Sequence, residues 1–277
     1  MRFSIIAVDI PLPADFPFPL RGSYEECARR AAAFGYEAIE LQIQNPLDYD
    51  YAAVRRSLER YGMRASAVTT GLSYLFEGHN MSAKDSSVRA KTVERLKRQL
   101  DFARELDSQI LIGFLRGRME ADDTAEQYES RLSESMYKII EYADEIDGRI
   151  CFEQINRRDG DLYNSTAETL RFIEKFRSKR LFYNADTYHM ISEEGDVAAA
   201  LRLAKERMSL FHVSDCGRLL PDDRHFNFRA AAAALRSIDY DGWVTIECRP
   251  VPDEDSVARD GIAYLSNIFC PARCAVR

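Results

Sequence analysis

Four short apolar runs each end on a residue that apolar runs normally exclude: Glu153 in CFEQ, Asp186 in YNAD, His212 in LFHV and Glu247 in VTIE. A single carboxylate in such a place is ordinarily solvated or caps the next helix. Four successive runs that break the rule at matching positions point to one shared site, because buried strands otherwise keep charge out. Three carboxylates and one imidazole suit a divalent ion such as Mn2+, Mg2+ or Co2+, with coordination positions left for substrate oxygens. A structural zinc would instead be closed by thiolates. His189 lies three residues beyond Asp186, where it would overlook such an ion, and Arg218 in SDCGRLLP is a cation suited to a substrate hydroxyl, keto oxygen or carboxylate. The plainer reading of Arg218 is a surface salt bridge. Of the other two histidines, His225 falls in DDRHFNF, and His79 reads as a surface loop residue with no obvious partner.

Positioning these residues requires strands that alternate with helices. Eight runs of strand length are Phe3–Val8, Glu37–Gln42, Arg64–Val68, Gln109–Phe114, Arg149–Gln154, Leu181–Ala185, Ser209–Val213 and Trp243–Glu247. Several, such as ILIGF and SLFHV, are apolar on both faces, as strands of a covered parallel sheet must be. Between them the period becomes helical. Tyr24, Cys27, Ala28, Ala31 and Ala32 form one apolar stripe, Val93, Leu96, Leu100 and Ala103 a second, and Leu132, Met136, Ile139, Ile140 and Ala143 a third. Ser23-x-x-Glu26 and Ser165-x-x-Glu168 have the form of capping boxes. Gly35, Gly62, Gly148 and Gly242 each precede a strand, where a left-handed residue would end a helix. Eight such units predict an α/β fold, a closed (β/α)8 TIM barrel forming a single domain over 1–277. An open doubly wound sheet would carry a glycine-rich turn after its first strand, where this chain has DIPLPADFPFP.

Composition narrows the partners. The chain has 277 residues, 46% hydrophobic and 30% charged, with 38 basic and 45 acidic side chains for a net charge of −7. That is ordinary globular composition, and a net negative charge repels phosphate backbones, so nucleic acid is not an expected partner. No apolar run approaches the roughly 18 residues of a membrane span, and MRFSIIAVDI has no leader pattern, so a soluble, cytoplasmic protein is expected. The six cysteines form no CxxC pair and read as reduced thiols, with Cys270 and Cys274 inert near the C-terminus.

Several longer segments resemble one family: GLSYLFEG, ILIGFLRGR, FEQINRRDGDLYNS, NADTYHM, FHVSDCGRLLPDDRHFNF and VTIECRPVP. Together they resemble the ketose 3-epimerase branch of the xylose-isomerase-like TIM-barrel sugar epimerases and isomerases, and within it most of all the 5-keto-L-gluconate epimerases. The resemblance implies the same metal ligands, Glu153, Asp186, His212 and Glu247. It further implies Glu153 and Glu247 as the two catalytic groups, and His189, Arg218 and Asp159 as contacts to a small ketose or keto-sugar acid. It also implies a homodimer or homotetramer. Epimerisation beside a ketone fits this set, since a proton leaves one face of a planar enediolate and another returns on the opposite face.

The chain departs from the family pattern at Gln154 (usually Pro), Arg158 (usually Tyr) and Asp159 (usually Glu), and at Gly217, Leu219 and Asp222-Asp223-Arg224-His225. These changes bear on substrate identity rather than on the metal. Three other readings stand beside the epimerase: an aldose–ketose or hydroxypyruvate-type isomerase on the same site, a phosphodiester nuclease, and a non-catalytic sugar-binding module. The nuclease would need more histidine ligands and a basic face. The binding module would tolerate loss of either glutamate.

Overall fold

A computed structural model describes residues 1–270. Its eight main strands are β1 (Arg2–Val8), β2 (Ala38–Gln42), β3 (Arg64–Thr69), β4 (Ile110–Ile112), β5 (Ile150–Glu153), β6 (Leu181–Asp186), β7 (Met208–Val213) and β8 (Trp243–Ile246). Each pairs in parallel with the next in sequence. The Arg2–Ile5 stretch pairs with Trp243–Ile246, which closes the sheet into a barrel. That closure rules out the open sheet. A two-residue strand, Leu20–Arg21, adds to the outer edge of β1.

The surrounding helices are α1 (Tyr24–Phe34), α2 (Tyr51–Arg60), α3 (Gly71–Glu77), α4 (Ser86–Glu105), α5 (Ala125–Glu145), α6 (Thr166–Lys175), α7 (Thr187–Glu193), α8 (Val197–Leu203), α9 (Phe228–Ser237) and α10 (Glu254–Phe269). The three apolar stripes face inward, with only Ala32 partly exposed. Ser165 and Glu168 form a full capping box on α6, and Thr124 with Gln127 forms another on α5. Ser23 caps α1 by accepting from Glu26 N, which satisfies one otherwise orphaned donor. Among the described residues no helix is long and apolar enough to cross a membrane.

Three local expectations are corrected. The strand expected over Gln109–Phe114 is only Ile110–Ile112, because Gly113 leaves the ladder and Phe114–Arg116 winds into a 3-10 turn. Gly148 and Gly242 are not left-handed; Asp147 (φ 57°) and Asp239 (φ 56°) take that conformation just before them. Gly242 is required for a different reason, since a Cβ there would overlap the Tyr240 ring and hydroxyl. Cys27, Cys151, Cys216, Cys248 and Cys270 are free thiols. Cys274 lies outside the described residues.

Candidate active site

The fold delivers the four strand-end residues to one point at the C-terminal mouth of the barrel, where active sites of this architecture are built. Glu153 ends β5, Asp186 ends β6, His212 lies near the end of β7 and Glu247 directly follows β8. One donor atom from each lies within 4.8 Å of all the others, and all four side chains are buried. His212 Nδ1 faces Glu247 Oε2 at 2.8 Å and Glu153 Oε1 at 3.7 Å. The Arg218 guanidinium closes the group, donating from one nitrogen to Asp186 Oδ2 at 2.7 Å and to Glu247 Oε2 at 2.9 Å. Arg218 is therefore no surface salt bridge. Its backbone is left-handed (φ 57°), a conformation that disfavours a non-glycine residue by roughly 1–2 kcal/mol. Its guanidinium also lies 4.2 Å above the Tyr188 ring.

The electrostatics separate the two glutamates. Burial, then the neighbouring Glu247 carboxylate, pushes Glu153 up to about 8. Burial also acts to raise Glu247, but Arg218 and His212 outweigh it and hold that carboxyl down at about 2. Burial raises Asp186 to about 6 against the pull of Arg218. Burial opposes charge on His212, yet Glu40 and Glu247 together raise it well above its ordinary value. Burial and the Arg218 charge lower His189, which is thereby kept neutral.

This donor set fits a divalent ion. Glu153 is a buried carboxyl whose ionisation is opposed by another carboxylate, so a cation among these residues would supply the positive charge it lacks. Mixed oxygen and imidazole donors match Mn2+, Co2+ or Mg2+. His212 presents Nδ1 to Glu153 and Glu247 while Nε2 meets Glu40 Oε2 at 3.1 Å. A carboxylate on the far nitrogen of a metal-binding histidine fixes its tautomer and raises its basicity.

A cavity of about 240 Å³ opens above this group. Glu153, His189, His212, Arg218 and Glu247 form its polar floor, Phe16, Phe18, Leu72, Leu75 and Phe114 line the apolar side, and Asp159 is also on the wall. His189 accepts at Nδ1 from Asn156 Nδ2 at 2.9 Å, and Asn156 is oriented by receiving the backbone N–H of Arg158 and Asp159 on Oδ1. That arrangement leaves the His189 proton on Nε2, which lies 3.7 Å from Asp186 Oδ2. Asp159 is not among the four clustered residues. A larger hollow of about 660 Å³ sits at the opposite end of the barrel, at the strand starts, and holds none of these residues. His79 corrects the expectation made of it: it is half-buried, 3.4 Å from Thr92 Oγ1 and 3.5 Å from Glu77.

Several residues of the site escape a sequence reading. Glu40 is fully buried in the middle of β2, next to the point where β2 and β3 slip register. Its one signal is an acid inside an otherwise apolar strand. Gly113 is needed because any Cβ there would overlap Glu153 Oε2, while Asn184 Nδ2 holds Glu153 Oε1 from the other side at 3.0 Å. Arg116, also fully buried, donates to the Glu153 carbonyl at 3.1 Å. Gln154, one of the departures, is locked by Tyr183, Thr166, Asn164 and Glu194 in a network beneath the site and does not face the cavity.

An L-ribulose 3-epimerase from Methylomonas sp. (strain DH-1) is 28% identical over 219 residues, covering 78% of this chain and 75% of that protein. A D-psicose 3-epimerase from Agrobacterium fabrum (strain C58 / ATCC 33970) is 27% identical, covering 79% and 76%. A solved L-ribulose 3-epimerase superposes with a TM-score of 0.84 over 99% of this chain and 96% of that one, at 22% identity, a likeness of fold. The model of the xylose isomerase-like TIM barrel family matches residues 28–268, and the chain belongs to that family.

Proposed function

We propose that this protein is a divalent-metal-dependent sugar epimerase that inverts carbon 3, next to the ketone, of a ketose or keto-sugar acid. The candidates are substrates of the D-tagatose/D-psicose or 5-keto-L-gluconate/D-tagaturonate type. The observation that carries the reading is the pair Glu153 and Glu247, two carboxyls from strands three apart around the barrel that meet in one cavity with their proton affinities pushed in opposite directions. Two such groups are what an inversion through a planar enediolate needs. The names of the relatives, both 3-epimerases, support carbon 3 as the reacting centre.

Glu153, Asp186, His212 and Glu247 are the residues that would hold the ion, which when bound supplies Lewis-acid stabilisation of developing oxygen charge. The chain's own groups do the rest. One glutamate takes the carbon-3 proton from its face, and the other returns a proton to the opposite face. Arg218, permanently charged, donates hydrogen bonds to substrate oxygens. His189 offers its Nε2 proton, and Asp159 receives a hydroxyl from the wall. The apolar side keeps water from the reacting carbon. Five free thiols support the cytoplasm as the compartment. The test is a panel of ketohexoses and keto-hexonates incubated with the Mn2+-loaded enzyme in D2O and read by NMR. Deuterium at carbon 3 with formation of the epimer is expected. Deuterium at carbon 1 or 2 with formation of an aldose would refute the epimerase.

A further inference from the structure

Beyond β7 the chain makes a tight turn that presents Arg218, closed by Asp215 N on Leu219 O at 2.9 Å and Arg218 N on Asp215 O at 3.1 Å. Residues 220–227 then run back and bring Asp222 and His225 against Asp215. One donor atom from each of these three lies within 4.8 Å of the others. Asp215 is 2% exposed. Its Oδ1 receives Cys216 N at 2.6 Å and lies 3.2 Å from His225 Nδ1. Its Oδ2 is buried and has no hydrogen-bond partner among the described residues. A buried carboxylate oxygen without a donor is rare in a folded protein, and here its neighbour is a second carboxylate. Asp222 forms its ion pair with Arg224, whose side chain is 74% exposed, and an ion pair so open to water is weak and yields to a stronger charge. Asp223 is turned away, accepting from the Tyr264 hydroxyl at 2.6 Å and facing Arg229 at 3.5 Å.

We infer that Asp215, Asp222 and His225 form a second cation site, separate from the four-residue centre and suited to zinc. Two carboxylates and an imidazole are mixed oxygen and nitrogen donors, and they leave one position of a zinc tetrahedron for water. An ion here joins the start of the loop to its end and so steadies the turn that carries Arg218. It satisfies the Asp215 Oδ2 oxygen at the same time.

The inference is tested by counting zinc. Metal-stripped protein is loaded with Zn2+, dialysed, and its metal content measured. Wild type is expected to retain two zinc ions per chain. Asp222→Asn/His225→Gln and Asp186→Asn/His212→Gln are each expected to retain one, lost from different sites. In the second of these variants, zinc should still protect the 215–227 loop from proteolysis. Asp222 and His225 are solvent-facing, so their variant keeps the wild-type metal-free melting temperature. One zinc per chain in wild type, or an unchanged count in Asp222→Asn/His225→Gln, overturns the site.

Discussion

Glu40→Gln isolates what the carboxylate behind His212 contributes. The substitution keeps the shape and an acceptor oxygen but removes the charge. Glu40 is fully buried, and its Oε2 faces His212 Nε2 at 3.1 Å while its Oε1 has no hydrogen-bond partner among the described residues. A buried hydrogen bond to a charged group contributes about 1.5–3 kcal/mol, which converts to a loss of roughly 10- to 150-fold in metal affinity. Carboxylates that back metal-binding histidines typically contribute within that range. The metal-free fold should respond far less, by about 1 kcal/mol, because Glu247 remains 2.8 Å from Nδ1 of the same ring and the variant buries one charge fewer. Calorimetric titration of Mn2+ into stripped wild type and variant measures the first quantity, and urea unfolding of the stripped proteins measures the second. Unchanged Mn2+ affinity would refute the assignment of Glu40. So would a loss of affinity matched by an equal loss of metal-free stability, since that would make Glu40 merely structural.

Other consequences follow from the same geometry. Chelation should abolish turnover and Mn2+ or Co2+ should restore it; full activity in a verified metal-free preparation would contradict the metal-dependent reading. Asp186→Asn and His212→Ala should lose metal, whereas Arg218→Ala should keep it and raise KM, as metal analysis beside steady-state kinetics would show. Ser165→Ala removes a capping box and should lower stability by about 1 kcal/mol without changing kcat. Burial depresses His189 below its unfolded value, so the unfolded chain binds the extra proton and stability falls as pH drops below about 6.5. His189→Gln should flatten that fall in melting temperature measured against pH on the metal-free protein.

The barrel was legible because its strands are buried on both faces, so each appears as an apolar run closed by turn chemistry. The same property exposed the four centre residues, since a charge at the end of such a run stands out. Glu40 has no such contrast: it sits inside AIELQ, and only the closed barrel shows that this strand faces His212, 172 residues later. Gly113 reads as one residue of the apolar strand ILIGF until Glu153 arrives from the neighbouring strand. Arg116 is of a type that is ordinarily exposed, and its burial against the Glu153 carbonyl is a long-range contact. His79 gains a partner from outside its own loop, because Thr92 reaches it from the following helix. Before Gly148 and Gly242 an aspartate takes the left-handed position, leaving the glycine to serve packing.

In the proposed reaction Glu153 and Glu247 work on opposite faces of one substrate carbon. Glu153→Gln and Glu247→Gln keep an oxygen at each position, so each variant can be compared after loading with metal. Each should lose epimerisation by on the order of 10²–10⁴-fold, the usual contribution of a positioned acid or base. Deuterium incorporation from D2O into each epimer, followed separately for the two variants, is the direct measurement. A reciprocal pattern is expected, in which the epimer still exchanged by Glu153→Gln is the one left inert by Glu247→Gln. One variant inert toward both epimers and the other merely slowed would mean that a single base serves both faces, and would contradict it.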